Sequence, residues 1–197
     1  MLVVGITGGI GSGKTAICQE FSRLNIPIYL ADERAKLLQN QSPLREKIQE
    51  LLGTEVYEKG VLLRQKVADI VFSNPDKLQA LSKLVHPAVA SDFDSWLQHQ
   101  KAPFVLKESA ILLEKGRPAL YDFIIVVTAP LNVRIQRVMQ RDGISAEKVA
   151  HRLDNQMTDE SRLKLADFEI KNDQWSETKH QINNLYQRLI SSSKTTD

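Results

Sequence analysis

Eight consecutive residues, Gly8-Gly9-Ile10-Gly11-Ser12-Gly13-Lys14-Thr15, have the types and spacing to hold a polyphosphate. They fit the pattern G-x-x-x-x-G-K-S/T throughout. Glycines let main-chain N–H groups approach an anion with no Cβ in the way. A helix that follows such a loop points its positive end at the same anion. Lys14 is a compact charge with the reach for β and γ phosphates, and the Thr15 hydroxyl suits Mg²⁺, partly through water. Gly8, Gly9, Gly11, Ser12, Gly13, Lys14, Thr15 and Ala16 are therefore the expected nucleotide-binding set, with ATP and Mg²⁺ as the implied ligands. The bland alternative is a glycine-rich turn with an incidental Lys-Thr. A strand before the loop and an amphipathic helix after it argue against that alternative.

Those residues need a scaffold. Leu2 to Ile6 reads as a short buried strand, and Ala16, Ile17, Phe21 and Leu24 then recur at helical spacing. Pro27 to Leu30, Pro103 to Leu106, Phe123 to Thr128 and Phe168 to Ile170 read as further strands. Phe123 to Thr128 is continuous and β-branched, as a strand covered on both faces should be. Residues 31–100 are mostly helical. Ser42-Pro43 and Asn74-Pro75 each look like an N-cap followed by proline at the first helical position. Leu131, Ile135, Val138 and Met139 predict a helix, Ser145 to Met157 a polar helical stretch, and Ile182, Leu185 and Leu189 a closing helix. Ser191 to Asp197 reads as a frayed polar tail. Strands alternating with helices predict an α/β fold with a parallel sheet. The helical block interrupts that alternation beside the carboxyl ends of the strands, where open α/β sheets bind ligands.

With 197 residues the chain suits one domain with appendages. A net charge of +2 gives no general pull toward nucleic acid or membrane, so neither is an expected partner. The only cysteine is Cys18, which excludes an intrachain disulfide and fits a reducing compartment. The N-terminus lacks the basic lead of a signal peptide, and no apolar run approaches the roughly 18 residues of a spanning helix. A cytoplasmic location is expected, and oligomeric state is left open. Phosphate binding alone admits GTPases, motor and helicase ATPases, and small-molecule kinases. Lys171-Asn172-Asp173 is not a convincing guanine-reading signature, and nothing resembles a basic or aromatic stripe for nucleic acid.

Taken in order, further pieces of the chain resemble the dephospho-coenzyme A kinase family. Thr7 to Thr15 resembles that family's T-G-G-I-G-S-G-K-S/T opening. Leu30-Ala31-Asp32 falls at its D-A-D, Val71-Phe72 at its V-F and His86-Pro87 at its H-P. Ala110-Ile111-Leu112-Leu113-Glu114 falls at P-L-L-F-E. Arg134, Arg137 and Arg141-Asp142 fall at Q-x-x-R-x-x-x-R-D, Arg152 to Gln156 at R-x-x-x-Q, and Ala166-Asp167 and Asn172 at the closing A-D and asparagine. The likeness runs from about residue 3 to 172. Leu30 replaces the first aspartate, Arg134 the glutamine, and Glu108-Ser109-Ala110 the acidic-then-proline turn.

The resemblance implies a P-loop NTPase fold, a parallel sheet flanked by helices with a helical acceptor lobe and a small lid. Its parts would be a core of about 1–30 and 101–197, the lobe at about 31–100 and the lid at about 137–157. It implies ATP-dependent phosphorylation of the ribose 3′-hydroxyl of dephospho-coenzyme A, the final step of coenzyme A biosynthesis. Lys14, Asp32, Arg137 and Arg141 become the catalytic candidates. Asp32 would orient or deprotonate the acceptor hydroxyl, or else cap a helix beginning at Glu33. Arg137 and Arg141 are i, i+4 on one helix and would close over ATP, or else form a solvated basic face. Asp32, Arg64, His86 and Glu108 are the acceptor-site candidates; Arg64 is equally a surface arginine and His86 more simply a structural residue. Glu108 and Glu114 would organise magnesium waters or a lid arginine, or make local loop contacts. Asn172 would read the adenine edge or turn the backbone. Cys18, Trp96 and Trp175 are expected to pack. The rival readings are another small-molecule kinase, of nucleoside monophosphate or shikimate type, and a nucleotide-dependent switch or ATPase.

Overall fold

The computed structural model describes residues 1–194. Contacts divide the chain into two compact units, one of Met1–Leu30 with the chain from Lys101 onward, the other of Ala31–Gln100.

In the first unit β1 (Leu2–Thr7) runs into the glycine-rich loop, and α1 (Lys14–Arg23) leaves it. Every residue of β1 is buried, so it must be covered on both faces. After α1 comes β2 (Ile28–Leu30).

The second unit then follows in sequence. It holds α2 (Ala31–Leu38), α3 (Leu44–Leu52), an antiparallel pair β3 (Tyr57–Glu58) and β4 (Val61–Leu62), α4 (Arg64–Phe72) and the long α5 (Pro75–Leu97). Its own core gathers Leu44, Ile48, Leu52, Val56, Leu62, Val67 and Val85. Asn74 caps α5 by accepting from the Lys77 N–H at 3.1 Å, with Pro75 in the first turn as the sequence predicts. Ser42 does not repeat that pattern. α3 begins at Leu44 with Pro43 at the cap position, and the Ser42 hydroxyl instead donates to Glu46 at 2.8 Å.

The first unit resumes with β5 (Phe104–Glu108), β6 (Phe123–Thr128), α6 (Leu131–Asp142), α7 (Ala146–Asp154), α8 (Asp159–Leu163), β7 (Phe168–Lys171) and α9 (Trp175–Ser193). All five strands are parallel, in the order β2-β5-β1-β6-β7. Two carboxylates set where strands begin: Asp122 accepts from the Val3 N–H at 2.6 Å and Asp167 from the Ile124 N–H at 2.7 Å. Ile17 and Phe21 of α1, Val4 and Ile6 of β1, and Ile182, Leu185 and Leu189 of α9 share one core. The polar end predicted to fray is partly helical, since α9 runs through Ser193; Thr195 to Asp197 lie outside the described residues. Among the described residues no helix is long and apolar enough to cross a membrane.

Candidate active site

The glycine-rich loop connects the carboxyl end of a central parallel strand to a helix N-terminus, the position at which α/β sheets take up phosphate. Gly11 and Gly13 sit at φ +78° and +92°, which side chains strain to adopt. A second constraint is spatial. A Cβ on Gly9 would lie 1.9 Å from the Arg134 guanidinium, one on Gly11 2.5 Å from the Arg134 carbonyl, and one on Gly13 2.0 Å from the Asn172 amide. These glycines are therefore required by what packs behind the loop as well as by what an anion needs in front.

Lys14 donates to the Gly8 carbonyl at 2.9 Å, and its ammonium lies 3.9 Å from the Glu108 carboxylate at the end of β5. The side chain thus folds back along the loop toward its opening residue. Thr15, in the first turn of α1, is exposed. Ser12 is fully buried, and neither its hydroxyl nor that of Thr7 has a hydrogen-bond partner among the described residues. Cys18 lies one turn further on, buried as expected; burial first, then the nearby Glu108 charge, pushes its thiol up to about 12.

Two predicted residues hold the loop from behind. The Asn172 side chain donates to the Ser12 carbonyl at 2.8 Å, and its own N–H donates to Thr128 at 2.8 Å. Through these bonds Asn172 shapes the backbone on both sides of the contact. Arg137 reaches the Gly11 and Ser12 carbonyls at 3.5 Å each and the Asn172 carbonyl at 3.1 Å. Arg141, one turn beyond, does not join them. Its guanidinium donates to Asp142 at 2.7 and 3.2 Å, and Arg152 of α7 donates to the same carboxylate at 2.6 Å. The Arg141 hydrogen bond is the chief cause that holds Asp142 down at about 2, and the same bond raises the Arg141 pKa.

The sequence reading missed two residues at the loop. Arg134 is buried; it donates from Nε to the Ile10 carbonyl at 3.0 Å and from Nη1 to Asp159 at 2.9 Å. Gln156, just past α7, accepts from the Ile10 N–H at 2.9 Å. In the sequence Arg134 stands only where a glutamine is expected, and Gln156 only as a motif position. Neither carries a signal in the sequence, because the partners of each come from distant parts of the chain. Beside Gln156 a cleft of about 520 Å³ is lined by Ile10, Ile111, Glu114, His151 and Arg152.

Three predicted residues belong to the second unit. Asp32 is exposed in the first turn of α2, which starts at Ala31, so it lies inside the helix and is not its cap. A carboxylate there is favoured by the helix dipole. Arg64 opens α4 and His86 lies within α5, both exposed. Trp96 packs at 5.9 Å on Phe93, whereas Trp175 is 39% exposed with Lys179 over its ring. No group of three or more His, Cys, Asp or Glu is placed to hold a metal among the described residues.

The parallel sheet, the glycine-rich loop at the end of its central strand and the lysine and threonine beyond it define a P-loop kinase fold. The dephospho-CoA kinase family model matches residues 2–178. A dephospho-CoA kinase from Porphyromonas gingivalis is 40% identical over 174 residues, covering 87% of this chain and 86% of that one. The chain belongs to the dephospho-CoA kinase family. Among solved structures, one from Thermus thermophilus is 31% identical with a TM-score of 0.84 and covers 97% of each chain. Dephospho-CoA kinase from Campylobacter jejuni is 25% identical with a TM-score of 0.71, covering 96% of this chain and 98% of that one. The protein is accordingly a kinase, with ATP as its phosphoryl donor.

Proposed function

We propose that this chain transfers the γ-phosphoryl group of ATP to the ribose 3′-hydroxyl of dephospho-coenzyme A, giving ADP and coenzyme A. The observation that carries this reading is the family match over residues 2–178 on a chain whose phosphate loop and Lys14 are intact. Phosphoryl transfer asks for alignment and charge stabilisation more than for covalent chemistry. Main-chain N–H groups of the loop and the Lys14 ammonium would hold the β and γ oxygens. Lys14 would exchange its Gly8 and Glu108 contacts for phosphate. Asp32 would orient the acceptor hydroxyl and take its proton. Arg137 supports the loop's shape, and Arg141, paired in this structure with Asp142, would turn to the transferring group as the lid at about 137–157 closes. The segment 31–100 would serve as the acceptor lobe, with Arg64 and His86 as contacts there and Glu108 at the donor side. Mg²⁺ is part of the proposal: Thr15 and water would hold it, and it would neutralise charge on the bridged phosphates. The lone, buried Cys18 is compatible with the cytoplasmic setting this reading assumes.

The test is an acceptor panel with coupled ADP detection. Dephospho-coenzyme A should support turnover, and shikimate and nucleoside monophosphates should not. Activity confined to a nucleoside monophosphate would overturn the substrate. Asp32→Asn should lose transfer while ATP binding persists; unchanged transfer would remove Asp32 from the mechanism.

A further inference from the structure

Ile10 of the phosphate loop is held from two directions, through the peptide before it and the peptide after it, by the two ends of a single segment. The Ile10 N–H donates to Gln156 at 2.9 Å, and the Ile10 carbonyl accepts from Arg134 at 3.0 Å. Arg134 lies on α6 just before residues 137–157, and Gln156 lies at the end of that stretch. The two ends are fixed differently. Arg134 is 7% exposed, packs where a side chain on Gly9 would have to be, and is tied through Asp159 to the buried Arg162. It is a fixed post. Gln156 is half-buried in the lining of the 520 Å³ cleft, follows α7, which is anchored by the buried Val149, and holds the loop by one hydrogen bond. It is the less buried of the two ends.

We infer that Gln156 is a positioning residue for phosphoryl transfer: by accepting the Ile10 N–H it fixes the orientation of that peptide, and so couples the placement of α7 to the shape of the phosphate loop. The Ile10 N–H belongs to the Gly9–Ile10 peptide, whose carbonyl accepts from the Ser12 N–H at 3.1 Å within the loop itself, and Gly9 has the main chain that resists rotation least. Arg134 holds the next peptide, Ile10–Gly11, so Gln156 is the hold on the Gly9–Ile10 peptide that comes from outside the loop. With Gln156 in place, a displacement of α7 must either break that bond or turn the peptide. Loop geometry within a fraction of an ångström decides whether the triphosphate is in line. The inference rests on the proposed function for its catalytic consequence, though not for its structural one.

Gln156→Met keeps length and bulk and removes only the acceptor. We expect kcat with dephospho-coenzyme A to fall roughly tenfold, the size of one hydrogen bond's net effect. KM for ATP should change less, acceptor-free ATP hydrolysis should rise relative to transfer, and the melting temperature should stay near wild type. In ¹⁵N spectra ADP should shift the Ile10 amide in the wild type, and the amide should lose hydrogen-exchange protection in the variant. Wild-type kcat in Gln156→Met, or a lowered melting temperature with unchanged kcat per folded molecule, overturns the inference. If the wild-type enzyme transfers nothing to dephospho-coenzyme A, the functional reading fails instead. The Ile10 amide then decides the coupling alone: the same ADP-induced shift in both proteins sinks it.

Discussion

The Asn172 side-chain amide and the Ser12 carbonyl, 160 positions apart, are joined by a 2.8 Å hydrogen bond with both residues buried. The turn after β7 thereby props the phosphate loop, and the gap it occupies exists because residue 13 has no side chain.

Removing that prop should cost stability before it touches chemistry. Asn172→Ala leaves the Ser12 carbonyl without its buried donor and the Thr178 hydroxyl without one acceptor, a loss of about 1–3 kcal/mol in urea unfolding. Gly13→Ala attacks the same contact from the other side. It puts a methyl 2.0 Å from the Asn172 amide and strains a φ of +92°. The two changes should be strongly non-additive in a double-mutant cycle, because they break one interaction.

Lys14→Ala should leave the fold intact, since its ammonium donates to a loop carbonyl and lies beside a carboxylate at the strand ends. Loss of one preorganised charge at the transferring phosphoryl group lowers kcat by roughly a hundred- to a thousandfold. Circular dichroism with steady-state kinetics checks both halves. Near-normal turnover in the folded variant would refute the donor site.

Cys18 should be inert in the native protein. Burial raises its thiol from 9.0 to about 12, so the thiolate that alkylating reagents require is scarce at pH 8. Because the folded value lies above the unfolded one, the associated stability is complete below about pH 8.5 and is lost as the pH rises toward 12. Thiol titration at pH 8 should give little signal until urea is added. Stability should fall more steeply between pH 8 and 10 in wild type than in Cys18→Ala.

Much of the sheet was legible because a strand covered on both faces announces itself by composition. Phe123 to Thr128 is the observed β6, and β1 extends the predicted strand by one residue. The loop was legible because few residue types can do its work. What sequence could not give were contacts that depend on three-dimensional return of the chain. Arg134 looks like any surface arginine on a helix until Asp159 and Ile10 are seen around it. The β3–β4 pair was missed because two-residue strands carry no period, and Ser42 misled because Ser-Pro suits several turns as well as a helix start.

β1 has a hydrogen-bonded neighbour along each side, whereas β2 and β7 are the sheet's outer strands. Amide exchange by fraying must therefore begin at β2 or β7 and reach β1 last. Heat or denaturant would loosen the rim while the anion-binding turn is still formed, and ligand capture there would pull partly opened molecules back toward the native state. The donor pocket is in this sense the protein's own refolding anchor, a consequence of being rooted in the innermost strand.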